Sequence, residues 1–261
     1  MFRWLRRRRR KKIRARPFPD AWRGYMERHV PYVEMLTVAE RAELEGHVQV
    51  FLEEKRFEGC GGLEMTDEIR VSIAAQACML LLGRDTDYYR GLGSILVYPS
   101  AYVATSTSSL AGGSVVESEQ VRLGESWSTG QVVLSWDDVE RGAADVRDGH
   151  NVVFHEFAHQ LDGLNPASDG APVLDKRSMY IAWARVLGAE YERLLDDIDR
   201  HRRTVLDSYG ATNPAEFFAV ASETFFEQPI SLRRRHPELY DQLALFYKQD
   251  PASRYEQGRS R

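Results

Sequence analysis

Apolar positions recur at helical spacing over three stretches in the first third of the chain, residues 20–30, 38–55 and 67–82. The first is short and aromatic. The second opens behind Thr37 with Glu40 three positions on, a pattern in which hydroxyl and carboxylate satisfy the free N–H groups of the first turn. The third opens behind Thr66, closes at Gly83 and is apolar almost all round, which predicts a buried helix. From Ser94 the character changes. Ser94–Val103 is rich in β-branched and aromatic residues, with Pro99 arguing for an edge position or an early end. Thr105–Gly113 is a run of small residues and reads as a loop. Val115–Leu123 and Gln131–Trp136 read as strands joined through Gly124–Gly130. Beyond Trp136 the pattern predicts helices over roughly 149–163, 178–200, 214–228 and 237–248. Helices, then a small sheet, then helices, with no internal repeat, imply an α+β domain rather than alternating β-α units.

Composition changes this picture at one end. The 261 residues are enough for a substantial core, and 43% hydrophobic with 28% charged residues argues against general disorder. The net charge of −4 conceals an asymmetry: residues 1–16 hold ten Lys/Arg and no acid, leaving −14 on the remainder. Pro17 and Pro19 mark off this segment. It reads as a solvated, disordered tail; the competing reading is an arm touching anionic lipid or nucleic acid, anchored by Phe2, Trp4 and Leu5. Its charges are followed by further arginines rather than an apolar core, unlike a signal peptide. No apolar run approaches the ~20 residues of a membrane-spanning helix. Two cysteines, Cys60 and Cys78, make a poor disulfide framework; Cys78 reads as a small buried hydrophobe, and a reducing cytoplasmic setting is expected.

The chemistry concentrates in Asn151–Asp162, where His155-Glu156-Phe-Ala-His159 forms an HExxH motif. Side chains four apart on a helix lie on one face, about 5–6 Å apart at Cβ, so both imidazoles can bind one zinc ion. Glu156 lies roughly 100° further round, where a general base must sit to take a proton from water activated by the metal. The surrounding Val152, Val153, Phe154, Phe157, Ala158 and Leu161 predict a buried helix, in which two histidines and an acid need partners. A third ligand is required with one position left for water. Asp162 and Asn165 stand where an HExxHxxGxxH site needs Gly and His, so a carboxylate elsewhere is expected. The downstream candidates are Glu190, Glu192, Glu216, Glu223 and Glu227. Glu190 and Glu192 fall in a charge-rich helix that reads as solvated. Glu216, Glu223 and Glu227 share one stripe of a largely apolar helix opened by Asn213 and Pro214, and an exposed acidic edge would give the same periodicity.

Tyr209-Gly210, Asn213 and Ala215-Glu-Phe-Phe-Ala219 resemble the second motif of the anthrax lethal factor peptidase domain. Together with Ser222-Glu223-Thr-Phe-Phe they are more similar still to the Mlc titration factor A family. The agreement extends through Leu96-Val-Tyr-Pro-Ser, Gly124-Glu-Ser-Trp, Val133-Leu-Ser-Trp136-Asp and Phe246-Tyr-Lys-Gln-Asp-Pro, most of the chain beyond the basic segment. The resemblance implies a zincin-like metallopeptidase with a small mixed or antiparallel sheet packed against the HExxH helix. The expected unit is one domain over 17–261, helical to residue 90 and catalytic from 91. It also implies one zinc ion per chain with Glu216 as third ligand, and Tyr209 as hydrogen-bond donor to the oxyanion. Aminopeptidase-like action on peptides and an Mlc-like transcriptional repressor as partner follow from the same resemblance. Val220 departs from lethal factor, which has an acid there; Asp162 or Glu223 could instead orient a ligand histidine. Some relatives carry a further histidine between the first strands, but Thr105–Gln120 holds none, so three ligands plus water are expected. Gln131–Trp136 could offer substrate a sheet edge. The rival expectation is a non-catalytic, repressor-sequestering protein with a structural zinc site.

Overall fold

The computed structural model describes residues 2–100, 102–109, 115–122, 124–127, 130–145, 147–165 and 169–258, with the backbone alone over 2–3, 102–109, 115–122, 124–127 and 258. In chain order the elements are α1 (Phe2–Arg14), α2 (Asp20–His29), α3 (Val38–Glu54), β1 (Arg56–Gly59), α4 (Asp67–Met79), β2 (Ser94–Tyr98), β3 (Tyr102–Ser109), β4 (Val115–Arg122), β5 (Gly124–Trp127), β6 (Gln131–Ser135), α5 (Trp136–Ala144), α6 (Val152–Asp162), α7 (Met179–Asp199), α8 (Pro214–Glu227), α9 (Pro229–Arg235), α10 (Pro237–Tyr247) and α11 (Pro251–Gly258). Short 3₁₀ turns cover Pro31–Met35 and Ser208–Ala211. No helix among the described residues is long and apolar enough to cross a membrane.

Local signals place the helix starts. Thr37 and Glu40 form the expected reciprocal cap on α3. The Thr66 hydroxyl accepts the Ile69 N–H at the start of α4. Every residue of α4 from Val71 to Met79 is buried, as its continuous apolar surface requires.

The sheet differs from expectation. Its order is β1-β2-β6-β5, with β1, β2 and β6 mutually parallel and β5 antiparallel at one edge. The expected antiparallel character is therefore confined to that edge and to a separate β3–β4 hairpin. Ile95 and Val97 of β2 stand opposite Val132 and Leu134 of β6, all four fully buried, which pins the register. Ser94–Val103 is two strands rather than one: the chain leaves the sheet at Pro99, which cannot donate to a ladder, and β3 pairs elsewhere. Residues 105–109, read as loop, belong to β3, and 110–113 lie outside the described residues, as does Leu123 at the end of the expected strand 115–123. The expected connector 124–130 contains β5, and β6 is interior, so it presents no free edge. Because β1 pairs with β2, the sheet crosses the boundary drawn at residue 90.

Residues 2–14, expected to be disordered, form helix α1 docked on α3. Ile13 is buried in the core, and the Arg10 guanidinium donates to both carboxylate oxygens of Glu54 at 2.9 and 2.7 Å and to Asp87 Oδ1 at 2.7 Å. The same group lies 4.6 Å from the ring centroid of Tyr88. An arginine-rich helix is held by acids far away in sequence, not by an apolar stripe.

Candidate metal centre

Two helices with matching starts build the site. Asn151 caps α6, its side-chain oxygen accepting the Phe154 N–H at 2.9 Å; Asn213 caps α8 in the same way through the Glu216 N–H at 3.0 Å, with Pro214 at the first turn. Val153, Phe154, Phe157 and Ala158 turn α6 inward and are fully buried. Phe154 meets Phe226 of α8, ring centroids 5.1 Å apart, which locks the two helices side by side. His155 and His159 lie on the less covered face, with side chains 15% and 17% exposed. The helix period thus sets apolar anchors on one side and imidazoles on the other.

Glu216 meets both rings: its Oε2 is 3.0 Å from His155 Nε2 and 3.2 Å from His159 Nε2, and the two Nε2 atoms are 3.2 Å apart. Among the described residues these three form the one group of His, Cys, Asp or Glu donors gathered tightly enough for a metal ion. Bonds of about 2.1 Å at a tetrahedral angle separate neighbouring ligand atoms by about 3.4 Å, close to this triangle. Proton accounting points the same way. His155 Nδ1 faces Glu223 Oε1 at 2.7 Å, so Nδ1 carries the hydrogen and the neutral ring turns the lone pair of Nε2 toward Glu216. Two lone pairs then oppose each other unless a cation or a second ring proton lies between them. Burial disfavours the imidazolium of His155, but bonds to Glu216 and Glu223 outweigh it and raise its pKa. Burial likewise pushes the Glu216 carboxyl up, and the bonds to His155 and His159 more than reverse this, to about 2. Two imidazoles and one carboxylate suit zinc, and the fit extends to a partner for the far nitrogen of His155.

Glu223 is buried and divides its carboxylate between His155 and the Asn151 N–H, which donates to Oε2 at 2.7 Å. The Asn151 amide in turn donates to Gln76 of α4 at 2.9 Å. Sequence reasoning missed Asn151 and Gln76; an amide in the otherwise apolar run Ile73–Leu82 was the available signal. Where lethal factor has an acid, Val220 is buried, and the acceptor for His155 comes from Glu223 one turn later. Asp162, the other candidate for that task, is instead bonded to the Gly170 N–H at 3.0 Å. It closes the loop after α6, and its buried Oδ1 has no hydrogen-bond partner within the protein.

The acidic stripe of α8 is not an exposed edge: Glu216 is half-buried and Glu223 and Glu227 are buried. Glu227 accepts from Tyr32 Oη at 2.6 Å and from the Gly149 N–H, and burial pushes its carboxyl up to about 9. Glu190 pairs with His236 Nδ1 at 2.6 Å, and Glu192 is exposed. Neither reaches the centre.

Glu156 is 4% exposed, its Oε2 has no hydrogen-bond partner within the protein, and burial raises its carboxyl to about 8. Tyr209, 55% exposed, lies with its ring centroid 5.9 Å from that of His155. Asp207 accepts the Tyr209 N–H at 2.7 Å and so fixes the turn that carries it. Partial burial raises the Tyr209 phenol, helped by the charges of Glu216 and Glu156.

Comparison with known proteins gives a consistent picture. Residues 2–248 match the family described as glucose-regulated metallo-peptidase M90. An uncharacterized protein of Synechocystis sp. is 42% identical over 244 residues, 93% of this chain and 89% of its own length. Proteins named Mlc titration factor A from Klebsiella pneumoniae and Serratia proteamaculans are 33% and 35% identical over 228 residues. Those alignments cover 86% of this chain and 85% and 86% of the relatives.

Proposed function

Since this chain belongs to the glucose-regulated metallo-peptidase M90 family, we propose that it is a zincin-like, cytoplasmic zinc peptidase of gluzincin type with aminopeptidase-like action on peptides. His155, His159 and Glu216 would hold the ion and Glu156 would serve as general base. The observation that carries this reading is the convergence of His155 Nε2, His159 Nε2 and Glu216 Oε2 beside a buried carboxylate whose Oε2 lacks a protein partner. A zinc ion supplies Lewis acidity, acidifying water and polarising a peptide carbonyl. Glu156 takes the proton of the attacking water and delivers it to the leaving amine. The positive charge of a bound ion would favour the ionised form of Glu156 that this task needs, against the pull of burial and of the Glu216 and Glu223 charges. Tyr209 donates its hydroxyl hydrogen to the oxyanion of the tetrahedral adduct. An extended peptide would pair with β5, the antiparallel edge strand that contacts α6, rather than with the interior β6.

Among the described residues three protein donors converge, a set that would leave room for water at a zinc ion and so favours catalysis over a closed structural site. The test is Glu156→Gln in zinc-loaded protein against a panel of aminoacyl and peptide substrates. Turnover should fall by about 10²–10⁴-fold with zinc content and fold unchanged. Undiminished hydrolysis would remove Glu156 from the base role. The name borne by the Klebsiella and Serratia relatives supports a second role, binding of an Mlc-like transcriptional repressor. Co-elution with such a repressor should survive Glu156→Gln; separate elution of the unmodified proteins would end this reading.

A further inference from the structure

Helix α1 has two faces with different tasks. Arg10 and Ile13 point into the body, and Arg6, Arg7, Arg9 and Arg16 pair with Asp87, Asp85 and Glu53 around them. The helical period puts Trp4, Leu5, Arg8, Lys11 and Lys12 on the opposite side. Trp4 is 62% and Leu5 50% exposed, and the Arg8 guanidinium lies 5.5 Å from the Trp4 ring centroid. Among the described residues no ion pair engages Arg8, Lys11 or Lys12, and the first acid in the sequence is Asp20. The acidic partners of α1 all lie on its docked side, so they fix the helix without neutralising its outer face.

We propose that the outer face of α1 docks the protein on an anionic lipid bilayer, with Arg8, Lys11 and Lys12 against the headgroup phosphates and Trp4 and Leu5 in the interfacial layer. Charge complementarity selects an anionic surface, and the −14 of residues 17–261 means that this face, not the body, is drawn to it. The apolar pair selects lipid over nucleic acid: a polyanion rewards the cations alone, whereas an indole and a leucine beside them gain from the headgroup–acyl boundary. Because Arg10 and Ile13 clamp α1 to the body, the protein would sit in one orientation rather than swing on a tether.

The test is co-sedimentation of the full chain with phosphatidylcholine vesicles with and without phosphatidylserine. Binding should require phosphatidylserine and weaken with salt. Each basic residue contributes roughly a fivefold gain near such a surface, so R8Q/K11Q/K12Q should lower partitioning on the order of a hundredfold. W4A/L5A should lower it by about tenfold or more at unchanged charge. These side chains do not hold α1 to the body, so both variants should melt with the parent protein. Equal binding to neutral vesicles, or no loss in R8Q/K11Q/K12Q, would overturn the proposal. So would a W4A/L5A variant that binds phosphatidylserine vesicles and duplex DNA as the parent does, the mark of a plain polyanion patch.

Discussion

At His155 two carboxylates serve one imidazole, and their roles are separable. Glu216 meets Nε2, while Glu223 accepts from Nδ1 and from the Asn151 N–H at once. An amide at 223 can accept only one of these and turns N–H against N–H at the other. On the proposed zinc site, Glu223→Gln should therefore weaken zinc binding about 10–100-fold, measured by competition with a chelator. Unchanged affinity would mean that Glu223 is a structural acceptor only. Of this constellation, HExxH and its spacing are legible residue by residue. The tasks of Glu223 and Asp162 are not, because a carboxylate three or four positions along a helix says nothing about the donor across the interface.

Among the elements, α6 and α8 both start at asparagine caps, of which the sequence pattern marks only Asn213. Asn151 is unusual in that one side chain both starts α6 and bonds Gln76 in α4. Asn151→Ala removes the cap and leaves the buried Gln76 oxygen unpaired, and should cost about 2 kcal/mol in thermal or denaturant unfolding. A loss of a few tenths would show that water replaces both bonds. Short strands are less legible. β1 and β5 have four residues each, and β1 alternates exposed with half-buried positions, so neither builds an apolar alternation. Their pairing, and the parallel run β1-β2-β6, come from the packing of helices against the sheet.

For the whole molecule, the docking of α1 rests on ion pairs and is therefore sensitive to pH. Arg10 is 9% exposed and bonded to two carboxylates, so Arg10→Ala should destabilise the protein by about 2 kcal/mol and raise hydrogen exchange across α1 first. Burial pushes the Asp87 carboxyl up, but Arg10 and Arg6 outweigh it and hold it below its ordinary value. A carboxyl lowered by folding stabilises above its unfolded pKa, and that contribution disappears as pH falls through the lowered value. The stability gap between parent and Arg10→Ala should therefore narrow on acidification below about pH 4. A gap that stays constant to pH 2 would detach Asp87 from the docking.

The sequence alone determined the chemistry on offer: two imidazoles and an acid at fixed helical spacing, a capped second helix with three acids on one stripe, and a charge pattern concentrated at one end. These are local properties, set by the 3.6-residue repeat and by side-chain type. Pattern alone leaves open which acid completes the triangle, and beyond the family resemblance only the tertiary structure decided for Glu216, since Glu190, Glu192, Glu216, Glu223 and Glu227 differ in what they face rather than in kind. The same holds for α1. Its like charges repel one another when read as a string, and they become a docked helix because Glu53, Glu54, Asp85 and Asp87, dozens of residues away, are brought beneath them.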